Sequence, residues 1–152
     1  VLIRPATDDD LEAVAALRVQ FLAEHRGVDP ATFPAEFSVT TLAFLQRHAA
    51  AGTSRSWLAC DGEMAVGVVT MLLLDLAPRP EDTSGLEGYL INMFVVPGHR
   101  RRGVGRQLLA ECHREARELG LRRLLLHATD DGRSLYERAG FTPNSRWMEL
   151  VL

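Results

Sequence analysis

The sequence predicts a mixed α/β fold in one domain spanning residues 1–152, and three observations carry that prediction. Two β-rich runs flank Asp61-Gly62-Glu63, and an Asp-Gly pair between such runs marks a tight hairpin of antiparallel strands. Apolar residues recur at helical spacing in other segments. Further along, a strand, a long helix and another strand follow one another, an order that requires a parallel pair joined by a right-handed crossover. At 152 residues, 47% hydrophobic and 24% charged, the chain is large enough to bury one proper core.

Taken in order, residues 1–4 read as a first strand ended by Pro5. Thr7, Asp8, Asp9 and Asp10 offer capping groups, Asp9 with Glu12 makes a capping-box pattern, and Leu11, Val14, Leu17 and Phe21 define the stripe of a first helix. Residues 24–37, with Gly27, Pro30 and Pro34, read as a loop. After Ser38 a second helix carrying Leu42, Leu45 and His48 or Ala49 runs to Gly52. Strands at 54–60 and 64–74 form the hairpin, with Trp57 and Trp147 read as core or pocket wall. Residues 78–88, rich in proline, glycine and acids, connect to a fourth strand at 89–96. A third helix starts near Arg102, presents Val104, Leu108, Cys112, Ala116 and Leu119 on one stripe and closes at Gly120. A fifth strand at 121–128, a short helix at 132–139 ended by Gly140, Phe141 turning back onto the core, and a final strand at 146–152 complete the reading.

The segment Pro97-Gly98-His99-Arg100-Arg101-Arg102-Gly103-Val104-Gly105-Arg106-Gln107 leads from the fourth strand into the third helix. The first amides of a helix lack intrahelical acceptors, and the helix dipole adds positive potential where they point, so this turn is suited to phosphate. Gly103 and Gly105 would let phosphate reach the backbone, and the arginines add charge from the flanks. The same residues also fit a solvated basic run in which glycine eases a turn. A dinucleotide fingerprint fails because its third glycine falls on Leu108, and no Gly-x-x-x-x-Gly-Lys-Ser/Thr is present.

Composition narrows the function further. The formal net charge of −3 and pI near 6.0 argue against nucleic acid as a partner. No apolar run is long enough to span a bilayer and nothing at the start resembles a signal peptide, so no membrane association and a cytoplasmic location are expected. Cys60 and Cys112 stand apart from any ligand spacing, so buried thiols and no metal are expected. Asn92 sits in an otherwise apolar strand, where it either faces a substrate pocket or makes a structural hydrogen bond.

Arg100-x-x-Gly103-x-Gly105, followed downstream by Leu135-Tyr136-Glu137-Arg138-Ala139-Gly140-Phe141, resembles the GCN5-related N-acetyltransferases (GNAT), and the order of elements matches that family along essentially the whole chain. The resemblance implies a central, mostly antiparallel sheet of about seven strands flanked by four helices, with strands four and five parallel and splayed. It implies acetyl-CoA as co-substrate, its diphosphate held by Arg100, Arg101, Arg102, Gly103, Val104, Gly105 and Arg106. Its pantetheine arm would follow Met93, Phe94 and Val95. A strand-four amide near Phe94 or Val95 would stabilise charge on the thioester oxygen. Thr129 replaces an asparagine that often contacts the cofactor in this family.

The implied activity is direct acetyl transfer to a primary amine, on a small molecule or a protein, with homodimerisation also in keeping with the family. Tyr136 matches the family tyrosine that acts as general acid toward the departing thiolate; it also fits a packing and positioning role. The glutamate some relatives carry on strand five is Leu124 here. The remaining candidates for a base are Glu87, Glu24 and Glu36, and loop acids such as Asp29, Glu81 and Asp82 suit a cationic acceptor. An acyl-CoA-binding regulatory or sensor module without turnover is the alternative.

Overall fold

A computed structural model gives the architecture and describes residues 1–144 and 148–152. The elements are β1 (Leu2–Pro5), α1 (Leu11–Arg26), α2 (Phe37–Ala50), β2 (Ser54–Asp61), β3 (Met64–Asp75), β4 (Leu86–Val95), α3 (Val104–Glu118), β5 (Leu124–Leu126) and α4 (Asp130–Arg138). They build one sheet in the order β1-β2-β3-β4-β5. The first three pairings are antiparallel and β4–β5 is parallel.

The alternation of side chains along β2, β3 and β4 feeds two cores, one on each face of the sheet. On one face Trp57, Ala59, Val69, Met71 and Leu90 meet Val104, Leu108, Leu109, Cys112 and Ala116 of α3 and Tyr136 of α4. On the other, Leu58, Cys60, Val68 and Phe94 meet Leu11, Val14, Ala15 and Leu17 of α1 and Leu45 of α2. Both cysteines are free and buried, and burial pushes the Cys112 thiol well above its ordinary pKa.

Several expected boundaries shift. The sheet of the described residues has five strands rather than about seven. Residues 148–152 adopt no regular structure, and Arg146 and Trp147 lie outside the described residues. β5 is three residues long because Leu121 closes α3 instead, its amide donating to the Ala116 carbonyl at 2.8 Å. β4 begins at Leu86, where Leu86 and Glu87 align with Asp75 and Leu74 of β3, so Glu87 lies inside the sheet rather than before it.

The entry to α1 also differs from the expected Asp9–Glu12 box. Asp10 accepts hydrogen bonds from the Thr7 amide at 2.8 Å and the Thr7 hydroxyl at 2.9 Å. Arg4 of β1 grips the same carboxylate with two bonds of 2.7 Å, which ties the first strand to the first helix. Those bonds, from Arg4 first and then Thr7, hold the Asp10 carboxyl below the usual carboxylate range. Its contribution is therefore present above the ordinary aspartate pKa and is lost as pH falls through the lowered folded value. Asp10→Ala is expected to lower stability by about 1 kcal/mol, the scale of a lost cap, read as an earlier urea midpoint at pH 7 with the difference shrinking in acid.

Candidate active site

Pairing between β4 and β5 covers Gly88–Leu124, Tyr89–Leu125 and Leu90–Leu126, and stops there. β4 continues to Val95, so its edge beyond Leu90 has no strand beside it among the described residues. The Val96 amide donates to the Val66 carbonyl at 2.9 Å. Because successive amides along a strand point to opposite edges, those of Val95 and Met93 face the split and that of Phe94 faces β3. Of the two oxyanion donors expected from the sequence, the backbone therefore favours Val95. The Val95 carbonyl is held by Arg100 Nε at 2.7 Å.

The split leads straight into the basic turn. Arg101 and Gly103 have φ of 61° and 82°, and Gly103 is the residue that caps α3. A Cβ at Gly103 would meet only Gln107 Nε2, at 3.9 Å, so the space beside it is open for a ligand. The next three amides, Val104, Gly105 and Arg106, lie in the first helical turn and donate to no carbonyl or side chain among the described residues. Arg101, Arg102 and Arg106 are exposed and form no ion pair among those residues. Arg100 differs from its neighbours. It pairs with Glu24 at 2.7 Å and lies 5.5 Å over the Phe94 ring, so it braces α1 and β4 instead of standing open to a phosphate. Gly105 also serves another purpose than expected. A Cβ there would come within 3.1 Å of Leu135 Cδ2, so the missing side chain is what lets α4 sit on the first turn of α3.

That contact brings Tyr136 alongside the turn. Its ring is buried edge-on against Phe141, with centroids 5.9 Å apart, and its hydroxyl has no hydrogen-bond partner among the described residues. Burial, with a smaller contribution from Cys112, pushes its pKa up to about 12, so the phenol stays protonated and can donate. Thr129 caps α4, its hydroxyl accepting from the Gly132 amide at 3.2 Å; that oxygen is committed to the helix.

The Acetyltransferase (GNAT) family profile matches residues 19–141, which take in the split, the turn and Tyr136. The chain belongs to the GNAT family. A predicted acetyltransferase of Clostridium acetobutylicum, solved with acetyl-CoA, shares the fold with a TM-score of 0.90 at 22% identity, over 99% of this chain and 95% of that one. A GCN5-related N-acetyltransferase of Ralstonia eutropha JMP134 gives a TM-score of 0.86 at 29% identity, over 99% and 97%. N-acetyltransferase Eis of Mycobacterium bovis is 35% identical over 91 residues, 60% of this chain and 22% of that protein, so the chain spans about a fifth of that relative.

Within this GNAT chain two of the three acids named as bases, Glu87 and Glu24, are already engaged. Glu87 is fully buried, and one of its oxygens accepts from Arg79 and from Arg123 Nε and Nη2 at 2.9 and 2.6 Å. Burial pushes its pKa up, but the hydrogen bonds from Arg79 and Arg123 pull harder and leave it below its ordinary value. Such a carboxylate is a poor proton acceptor, and it lies roughly 16 Å along β4 from Asn92 at strand rise. Its role here is to join the β3–β4 connection to the start of β5. Glu24 is taken by Arg100. Glu36 is exposed just before α2.

Asn92 marks a bulge. The β3–β4 register jumps from Thr70–Ile91 to Val68–Phe94, so Asn92 and Met93 together oppose Val69, and Asn92 adopts φ of 59°. Its amide donates to Thr70 Oγ1 at 3.3 Å and its carbonyl oxygen accepts from Arg18 Nη1. Beside it, the Tyr89 hydroxyl bonds His127 Nδ1 across β4 and β5. Arg18, Tyr89 and His127 did not emerge from the sequence. A signal existed for Arg18, which falls on the stripe of Val14 and Phe21 where an apolar residue belongs.

No helix among the described residues is long and apolar enough to cross a membrane, and no cluster of three or more metal-ligating side chains occurs among them. A groove of about 490 Å³ lies away from this site between the end of α3, β5 and Phe141.

Removing the Glu87 charge tests its structural role. Glu87→Gln leaves two partly exposed guanidiniums without their carboxylate and is expected to cost about 2 kcal/mol, the scale of hydrogen bonds to a charged group. Because the folded pKa is lowered, the wild-type advantage is full above pH 4.5 and fades as pH falls through the folded value. Denaturant titrations at pH 7 and pH 3 read both statements.

Proposed function

We propose that this GNAT chain binds acetyl-CoA and transfers its acetyl group directly to a primary amine. The observation that carries the reading is one continuous path: a strand edge with unmatched amides that runs into the open, glycine-capped N-terminus of a helix. Buried or half-buried amides without acceptors are costly, and an extended ligand bearing its own amides satisfies them as an added strand would. At the far end of the path, the amides of Val104, Gly105 and Arg106 with the side chains of Arg101, Arg102 and Arg106 match a diphosphate in both geometry and sign. The Clostridium relative with the same fold was solved with acetyl-CoA, which supports the assignment.

Acetyl-CoA supplies an activated thioester; the chain supplies the rest. The Val95 amide faces the split, where it would stabilise negative charge building on the thioester oxygen. The Tyr136 phenol would donate a hydrogen bond to the departing sulfur. With a pKa near 12 it is a weaker acid than a thiol, so hydrogen bonding to the thiolate accounts for its role better than complete proton transfer. The acceptor must be a neutral amine, and Leu124 on β5 and the captured Glu87 leave no dedicated carboxylate base on β4 or β5. That same lack favours a second reading, a CoA-binding sensor. Release of free thiol from acetyl-CoA across a panel of amines separates the two, because a sensor binds CoA without amine-dependent release.

Two variants probe the roles. Gly103→Glu is expected to weaken CoA binding at least 100-fold in calorimetry, whereas Gly103→Ala, which bears the same positive-φ strain without the charge, should retain measurable affinity. Tyr136→Phe should lower single-turnover transfer by about tenfold or more while changing CoA affinity less than twofold, the range of a lost acid or donor.

A further inference from the structure

Two residues that break the rules of their own elements meet at the split. α1 turns Leu11, Val14, Ala15 and Phe21 toward the sheet, and Arg18 sits among them on the same stripe. From Leu90 to Val95 β4 is apolar apart from Asn92, which is 2% exposed, at a bulge, in the left-handed region. Arg18 Nη1 donates to Asn92 Oδ1, and Thr70, itself hydrogen-bonded to Ser56 at 2.9 Å, fixes the other end of the amide. This junction lies one residue past Ile91, where the β4 edge has lost its β5 partner.

The guanidinium at this junction lacks a counter-ion. Arg18 is partly buried, no carboxylate stands within ion-pair distance of it among the described residues, and burial alone lowers its pKa with no acid to offset the effect. One of its five N–H donors is satisfied by Asn92. A half-buried, singly bonded guanidinium is a strong site for a planar anion.

Of the acids that suggested a cationic acceptor, three are paired with arginines and two more are held by neutral donors. Glu24 pairs with Arg100, Glu87 with Arg79 and Arg123, and Glu81 with Arg79 at 3.6 Å. Asp82 accepts from Ser84, and Asp29 caps the Ala31 amide.

We propose that Arg18, aimed by Asn92, binds an anionic group on the acceptor, so that the substrate is an amine that also carries a carboxylate or a phosphate. This rests on the transferase reading above and names the acceptor class for it. The positive charge has a second consequence: a cation near the acceptor lowers the ammonium pKa and favours the neutral amine. The amine nitrogen then bonds the acetyl carbon, the C–S bond breaks, the thiolate leaves and the nitrogen's proton passes to water. A polycation would meet repulsion at the same point.

The test is thiol release from acetyl-CoA with matched acceptors: the common L-amino acids against their methyl esters, and O-phosphoethanolamine against ethanolamine. The expected result is a kcat/KM at least tenfold higher for the anionic member of a pair, with the two pairs telling carboxylate from phosphate. Arg18→Gln should raise KM for that acceptor at least tenfold, affect its ester much less and leave CoA affinity by calorimetry unchanged. Arg18→Lys, which keeps the charge, should recover part of the loss and serves if the glutamine variant melts early. Equal turnover of both members in both pairs by the wild type overturns the inference and leaves the transferase reading standing. So does an equal loss on both arms in Arg18→Gln with CoA still bound. A wild type that binds CoA and acetylates no amine overturns the transferase reading, and this inference with it.

Discussion

The parallel pairing of β4 with β5 ends at Leu90 and Leu126, and the functional half of the molecule is organised around that end. A strand that runs on past its partner leaves amides and carbonyls that water or a ligand must satisfy. Two devices keep the gap from closing. β5 is only three residues long and hands over at once to the Thr129 cap, which starts α4 in a new direction. The bulge at Asn92 bends β4 at the point where the strands part. With the gap fixed, α3 begins just beyond the end of β4 and presents its first amides in line with it.

Charge is distributed in keeping with that geometry. The chain carries a net charge of −3, yet the residues leading into α3 are a local concentration of arginine. They divide by partner. Arg100 has a carboxylate, a carbonyl and an aromatic ring to hold, so it is part of the scaffold. Arg101, Arg102 and Arg106 have none of these among the described residues and stand exposed. At the other end of β4, Arg79 and Arg123 surround Glu87. A buried carboxylate needs such compensation simply to stay in the sheet, so this cluster fixes the start of the parallel pair and does no chemistry.

Much of this was legible in the sequence because it rests on local rules. The Asp-Gly hairpin, the stripe of α3, the parallel pair and the glycine-bearing turn into α3 all follow from spacing and turn chemistry. What escaped rests on tertiary partners. Glu87 read as a loop acid because nothing near it in sequence announces Arg79 and Arg123 together. The packing of Gly105 against Leu135, thirty residues away, could not be read from the residues around it. Arg100 could not be told from the arginines beside it without Glu24. The capping of α1 shifted to Thr7 and Asp10 because Arg4, on another element, stabilises that choice. Arg18 was the readable exception, a charged residue on a face where periodicity asks for an apolar one.

That exception bears on how a neutral nucleophile arises in a site without a carboxylate base. A positive-φ asparagine in a strand costs conformational energy, a buried amide costs desolvation, and a partly buried guanidinium without a counter-ion costs more. A fold selected only for stability would replace all three with a regular strand and an apolar stripe. Their presence together, hydrogen-bonded to one another at the mouth of the gap, is what strain retained for function looks like. An electropositive junction lowers the proton affinity of an incoming amine before any base acts. On the proposed reading water then serves as the final proton acceptor, with no carboxylate base required. The geometry that opens the sheet to the cofactor and the charge that prepares the acceptor thus share one structural origin, the Asn92 bulge.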